Sequence, residues 1–276
     1  MREEKRLQRV VVEADDRAFF VEFRTLPHER ARGFVNDGEA SGGTALDHFV
    51  FRDGTQVFMN EHGTVRPVLD PVEIAQAFPE ADVNGALQES RHIFIEAGLH
   101  ALEKDFIRIV EIGFGTGLNA FLTLKDVELS QAHHIDYHTV ELYPLPLDTI
   151  RALNYGELIW PERKELFLAL HEAEWNTPVS ISERFTLHKI EGNSNACELP
   201  DDIDLIYFDA FAPEKQPEMW NQEIYNRLYA HTAPGGVIVT YCAKGEVRRG
   251  MQAAGFEMSR LPGPPGKRHI LRGIKN

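Results

Sequence analysis

A doubly wound α/β sheet with a small N-terminal β/α extension is the fold this sequence predicts, and three observations predict it. From Phe106 onward, short apolar runs suited to buried strands alternate with helical patterns. A glycine-rich turn joins the first of those runs to a helix, and the opening hundred residues lack the alternation altogether.

The extension comes first. Phe49-Val50-Phe51-Arg52 and Thr55-Gln56-Val57-Phe58 are strand-like runs separated by Asp53-Gly54, a dipeptide that supplies the positive φ angles of a two-residue hairpin turn. Asp70-Pro71-Val72-Glu73 combines an N-cap, a proline at the first helical position and an acid three residues after the cap, which predicts a short helix through Phe78. A second helix is expected from about Leu87 to Glu103. The strands that follow are Ile107 to Ile112, Ile135 to Val140, Phe185 to Ile190, Ile203 to Phe208 and Val237 to Tyr241. Separated by helical patterns, they imply a parallel sheet covered on both faces. Leu147 to Trp175 reads as inserted helices, and Phe256 to Arg260 with His269 to Gly273 as two closing strands around Pro-Gly-Pro-Pro-Gly. The division expected is residues 1–104 as an extension packing on the catalytic domain, and residues 105–276 as that domain.

Composition limits the function classes. At 276 residues with 43% hydrophobic and 26% charged content, the chain can bury a proper core and lacks the composition of a disordered protein. Met1-Arg2-Glu3-Glu4-Lys5-Arg6 leads into charged sequence, and no stretch reaches the length of a membrane span, so a cytoplasmic protein without a membrane partner is expected. Cys197 and Cys242 are the only cysteines, too few for a CxxC pair or a thiolate metal cluster, and read as packing residues. His133, His134 and His138 with Asp136 fall on or beside a strand, where their spacing spreads them too far for one ion, so no metal is expected. The net charge of −14 argues against coating nucleic acid by bulk charge, yet Lys244 to Asn276 holds eight bases against two acids.

Glu111-Ile112-Gly113-Phe114-Gly115-Thr116-Gly117-Leu118 follows a strand and opens a helix, where glycines let a ligand approach the backbone. The dinucleotide fingerprint would put its third glycine at Leu118, whereas this loop reads G-x-G-x-G with an acid two residues upstream. That pattern favours S-adenosylmethionine, whose cationic amine Glu111 would face; a pyrophosphate would be repelled. Glu141, closing the second strand, stands where an acid accepts the hydroxyls of an adenosine ribose. Asn193 in Gly192-Asn193 could read the adenine edge or belong to a plain turn. Asp209, in Phe208-Asp209-Ala210-Phe211-Ala212-Pro213, leaves the fourth strand where a transferred methyl group would point. An aliphatic amine of pKa near 10.4 is mostly protonated at neutral pH, so Asp209 could orient it and help remove its proton, with Phe211 and Trp220 stacking on a base. The alternative for these residues is a helix-capping acid with two core aromatics.

The chain resembles the methyltransferase domain of the MnmC family in its standalone form, a class I, Rossmann-like S-adenosylmethionine-dependent methyltransferase. The resemblance rests on Gly85 to Phe94, Glu111 to Phe121, Glu141 to Leu145, Asp209 to Pro213 with Pro217-Glu218-Met219-Trp220, Pro234-Gly235-Gly236, and Tyr241 to Arg249 followed by Gly255-Phe256 and Arg260 to Arg268. It implies N-methylation of 5-aminomethyl-(2-thio)uridine at the wobble position of tRNA. Glu111, Gly113, Gly115 and Gly117 would hold the cofactor, Glu141 its ribose, and Asp209 would serve the acceptor amine. Gln88 and Glu89 would approach the same cleft, with Lys267 and Arg268 near cofactor or tRNA. Asn193 stands where the family pattern would have aspartate, and the first sixty or so residues match no pattern of the family. No stable protein partner is implied, and no flavin is expected, since the only dinucleotide-like loop is the one assigned to the methyl donor. The rival readings are a spermidine-synthase-like aminopropyltransferase, which would want more acids around Asp209, and a non-catalytic RNA-binding subunit of the same fold.

Overall fold

The computed structural model describes the backbone of residues 7–14, 17–24, 46–50, 56–60, 65–68, 80–213 and 216–276, and side chains from residue 85 onward except 214 and 215. The chain divides into two compact units, Met1–Glu73 and Ile74–Asn276. The sequence boundary expected at 104/105 therefore lies inside the second unit, which also holds the helical segments after residue 80.

In the first unit, β1 (Leu7–Ala14) and β2 (Arg17–Arg24) form an antiparallel hairpin that sequence analysis does not anticipate. Its signal was present: Val10-Val11-Val12 and Phe19-Phe20-Val21 are β-branched and aromatic runs separated by Asp15-Asp16. The expected hairpin appears as β3 (Leu46–Val50) and β4 (Gln56–Asn60), pairing Phe49 with Val57, and β5 (Val65–Val68) adds a third antiparallel strand. The Asp53-Gly54 turn and the helix expected from Asp70 to Phe78 lie outside the described residues.

The second unit opens with α1 (Glu80–Ser90), which passes into one π-helical segment over Arg91–Glu96 and a 3₁₀ turn over Leu99–Ala101. One continuous helix from Leu87 to Glu103 is thus not formed. Three consecutive side chains, Ile93, Phe94 and Ile95, are buried, and a Cβ at Gly98 would lie 2.4 Å from the Phe94 carbonyl oxygen, so the chain turns there in close contact with itself.

The sheet strands are β6 (Phe106–Ile112), β7 (His134–Glu141), β8 (Pro178–Ser182), β9 (Phe185–Glu191), β10 (Ile203–Phe208), β11 (Thr232–Thr240), β12 (Glu257–Pro262) and β13 (His269–Ile274), in the spatial order β12-β13-β11-β10-β6-β7-β9-β8. The five central strands are parallel, and β8, β12 and β13 pair antiparallel at the two ends. Strand β8 was missed in the sequence, although Val179 and Ile181 alternate and Pro178 opens it on an edge, where proline is tolerated. The helices are α2 (Leu118–Ser130), α3 (Leu147–Arg151), α4 (Tyr155–Ile159), α5 (Glu165–Glu172), α6 (Gln222–His231) and α7 (Gly245–Ala254).

Strand alternation feeds two cores, one on each face. Ile107, Ile109, Leu205 and Tyr207 join Phe121, Leu124 and Phe167, contributed by α2 and α5. Val110, Ile112, Ile206 and Phe208 join Ile224, Leu228, Val247 and Met251, contributed by α6 and α7. Every residue of β10 is buried, including Asp204, which accepts hydrogen bonds from Lys104 Nζ at 2.5 Å and from Arg108 N at 2.9 Å. Strand order reverses between β6 and β10: β7 and β9 extend one way and β10 and β11 the other. A crevice for ligands forms beyond the carboxyl ends at such a switch point.

The end of the chain secures α6. Lys275 Nζ donates to the carbonyls of Tyr229 at 2.8 Å and Thr232 at 2.7 Å, placing a cation on orphan acceptors at the negative end of the helix. Replacing Lys275 with Met should lower unfolding free energy by about 1–2 kcal/mol, the size of a charge-assisted hydrogen bond at a helix terminus. Urea denaturation followed by circular dichroism checks it; an unchanged midpoint would show that solvent satisfies those carbonyls equally well.

Candidate functional site

Glu111 is the penultimate residue of β6, Asp209 follows β10, and Glu141 ends β7. Because β10, β6 and β7 are adjacent in the sheet, three acids far apart in sequence leave the same edge side by side. Asp209 N donates to Ile112 O at 3.2 Å and Gly113 N to Val140 O at 3.0 Å, extending the ladder into the loop. Gly113 has φ +94°, and an added Cβ would lie 3.1 Å from Asp209 O, so the turn has room for neither a side chain nor an L-residue backbone. Gly117 has φ +71°, and its added Cβ would lie 2.6 Å from His171 Nε2.

The loop rests on the inserted helices. His171 Nε2 donates to Thr116 O at 3.1 Å; burial lowers this imidazole to about 4, so it is neutral at pH 7. Its ring lies 5.0 Å from that of Phe114. Buried Lys189 donates to the His171 carbonyl and sets its ammonium 4.6 Å from the centre of the Trp175 ring. Sequence analysis missed His171 and Lys189, because neither an insertion nor a strand residue carries a spacing that ties it to a loop more than fifty residues upstream.

Glu111 is 0% exposed and accepts from Thr139 Oγ1 at 2.9 Å and Asn119 Nδ2 at 3.1 Å. The same Asn119 Nδ2 donates to Asp209 Oδ2 at 2.8 Å, bridging the two carboxylates. Burial first, then the neighbouring Asp209 charge, raises the Glu111 carboxyl to about 8, against the hydrogen bonds from Thr139 and Asn119. Burial likewise raises Asp209 to about 7; the Asn119 hydrogen bond and Lys267 oppose that rise, and Glu89 adds to it. Asn119 Oδ1 is buried without a hydrogen-bond partner. An ammonium, which only donates, fits a cradle lined by two carboxylates and an orphaned carbonyl oxygen. Neither Asn119 nor Thr139 was singled out from sequence, though Thr139 is the register partner of Glu111 and Asn119 lies two residues past the last loop glycine.

Glu141 is half-buried and accepts from Gly115 N at 3.0 Å and Tyr143 N at 2.8 Å, so it braces the glycine loop from the β7 side. Asn193 turns inward on its own loop: its Oδ1 accepts from Asn195 N at 2.9 Å and its carbonyl from Ala196 N and Cys197 N, the geometry of a local turn. At the mouth, Glu89 at the end of α1 pairs with Lys267 from the loop between β12 and β13, and Lys267 Nζ lies 4.6 Å from the centre of the Tyr241 ring. Gln88 and Arg268 are exposed beside them. Phe211 is 58% exposed, whereas Trp220 donates from Nε1 to Phe211 O at 2.7 Å and meets Phe208 edge-on at 4.9 Å. Trp220 therefore supports the loop carrying Phe211, whose side chain is the more exposed of the two. The histidines near β7 disperse: His138 pairs with Asp136 at 3.1 Å, His134 contacts Arg184, and His133 contacts Lys104 O.

Residues 164–276 match the S-adenosyl-L-methionine-dependent methyltransferase family. The chain is 35% identical over 207 residues to the tRNA 5-methylaminomethyl-2-thiouridine biosynthesis bifunctional protein MnmC of Pseudomonas fluorescens, covering 68% of this chain and 30% of that protein. It is 32% identical over 203 residues to the protein of that name from Methylobacillus flagellatus, covering 68% and 31%. The chain thus spans under a third of the length of these relatives. The crystal structure of MNMC2 from Aquifex aeolicus superposes with a TM-score of 0.52 at 21% identity, over 84% of this chain and 70% of that one, and shares the fold.

Replacing Glu141 with Ala removes the acceptor of the Gly115 and Tyr143 amides. S-adenosylmethionine binding should weaken by about 1.5–3 kcal/mol, the range for hydrogen bonds to a charged group. Equilibrium dialysis measures it, and an unchanged dissociation constant would remove Glu141 from the cofactor site.

Proposed function

We propose that this chain, which carries an S-adenosyl-L-methionine-dependent methyltransferase domain, methylates the primary amine of 5-aminomethyl-(2-thio)uridine at the wobble position of tRNA. One observation carries the reading: an enclosed carboxylate, Glu111, lies under the glycine loop, and a second, Asp209, stands beside it at the switch point on a loop that opens toward exposed Phe211.

Glu111, the loop of Gly113, Gly115 and Gly117, and Glu141 would hold S-adenosylmethionine, which when bound supplies an electrophilic methyl group on a sulfonium. Asp209 serves the acceptor. A primary amine attacks only through a free lone pair, and a base near neutral pH best combines availability with affinity for the proton to be removed. Asp209, raised to about 7, meets that requirement, whereas a carboxylate left at its ordinary value would be a weaker base. Phe211 offers a flat apolar surface for a pyrimidine ring, on a loop fixed by Trp220 and by Tyr241 Oη, which donates to Ala210 O at 2.9 Å.

The relatives' names give the acceptor's class, tRNA, and the exposed Arg249, Arg260 and Arg268 supply cations for its phosphates. Lys275 and Lys267 are otherwise engaged, on α6 and on Glu89, so the phosphate surface is narrower than the eight C-terminal bases suggest. Among the described residues no helix is long and apolar enough to cross a membrane. A cytoplasmic site of action belongs to the same proposal, because tRNA is modified and used there.

Asp209→Ala should cut turnover by about 10²-fold or more, the size of a lost acid–base group. Mass spectrometry of nucleosides from tRNA incubated with methyl-labelled cofactor reads the product, expected as methylaminomethyl(thio)uridine. Label on another nucleoside, or an Asp209 variant as fast as wild type, contradicts the assignment.

A further inference from the structure

We propose that Asn119 is a positioning residue that ties Glu111 and Asp209 into one proton-holding unit, and that this unit gives up a proton to solvent when the cationic methyl donor binds. The inference rests on the methyl-donor reading above and adds a regulation of the same site.

The geometry comes first. One amide NH₂ group, on the first turn of α2, donates to carboxylates from two different strands, at 3.1 Å and 2.8 Å. Both partners are acceptors, so the amide must present its nitrogen to them, which leaves Oδ1 buried and unpartnered. Two carboxylates joined through a single bridging group cannot ionise independently; the proton belongs to the pair.

The surroundings offer little relief. From β7, Thr139 donates a neutral hydroxyl to Glu111, and the Tyr137 phenol lies buried and is raised well above its ordinary value by burial and the Glu111 charge. From β10, Tyr207 is held at 3.2 Å from Thr123 Oγ1 of α2. From α1 comes Glu89, a third carboxylate, and from the loop between β12 and β13 comes Lys267, already paired with Glu89. Among the described residues, then, the charged groups acting on the pair are one further acid and one engaged ammonium. The raised positions of Glu111, about 8, and Asp209, about 7, agree with this count.

The methyl donor brings a sulfonium and an α-ammonium against one carboxylate. Opposite charge within a few ångströms favours the ionised carboxylates. The O–H bond of the pair breaks, the proton passes to water and then to buffer, and the carboxylates stay behind as counter-ions. Asp209 thereby becomes a free base only in the loaded protein, which couples acceptance of the amine proton to the presence of a donor.

Titration calorimetry of the full chain with S-adenosylmethionine at pH 6.5, in phosphate and in imidazole buffer, counts the protons. At that pH an α-amino group of pKa about 7.7–8.0 is already protonated, so the ligand does not mask the release. The expected result is about 0.5–1 proton released per cofactor bound. One-to-one binding with the same heat in both buffers overturns the inference while leaving the methyl-donor reading intact; no binding at all overturns that reading and the inference with it.

Asn119→Leu supplies an independent readout. Its loss removes hydrogen bonds that favour the ionised forms, so the rate relative to wild type should fall about tenfold or more at pH 7 and return to within about threefold by pH 9. A uniform loss at every pH would mark Asn119 as merely structural. Should the variant fail to fold, the proton count on the unaltered chain still decides.

Discussion

The switch-point crevice is organised around an electrostatic debt: buried Glu111 and half-buried Asp209 share one amide donor, and among the described residues the one ammonium acting on them, Lys267, is already paired with Glu89. Sheet topology forces the arrangement. Adjacent parallel strands end at the same edge, so residues Glu111 of β6 and Asp209 after β10 converge although nearly a hundred positions separate them. Both are raised above their unfolded values of 4.5 and 3.8, to about 8 and about 7. The folded state therefore binds more protons than the unfolded state in that window. Their contribution to stability is fully present below the unfolded values and is lost as pH rises through about 7 to 8. A cationic ligand removes the deficit by supplying the missing charge, which is why the same feature that weakens the free protein favours a sulfonium-bearing cofactor.

The other parts of the site hold that pair in place or stand near it. The glycine loop passes over Glu111 with no space for side chains at Gly113 and Gly117, and Glu141 and His171 brace it from opposite sides. Neutral His171 donates to the loop without adding a positive charge that would compete with the ligand. The end of α1 and the loop between β12 and β13 meet where Glu89 and Lys267 satisfy one another beside Tyr241.

Sequence carried the central fold well, because buried parallel strands are continuous apolar runs with glycine or acid at their ends. Ile203 to Phe208 coincides with β10, and the other central strands differ at their ends, most of all β11, which begins at Thr232 ahead of the Pro234-Gly235-Gly236 irregularity. What failed was what depends on tertiary contact. The π-helical turn after α1 and the edge strand β8 owe their form to neighbours, and the first hairpin was overlooked despite its β-branched run. Acids at strand ends were legible as spatial neighbours by topology alone. Asn119, His171 and Tyr241 were not, since a bridge, a brace and a ring beneath an ammonium are defined by partners distant in sequence. Trp220 commits its indole N–H, and Asn193 its side-chain oxygen, to neighbouring backbone, which sequence likewise does not show.

The account stands on the claim that the cofactor's cation answers the carboxylate pair. A crystal structure with S-adenosylhomocysteine, which keeps the α-ammonium, tests it most directly. The ammonium nitrogen should lie within about 4 Å of the Glu111 carboxylate, as expected of an ion pair, with Asn119 Oδ1 among its other acceptors. An ammonium held elsewhere, with Glu111 still bridged only to Asn119 and Thr139, would contradict it.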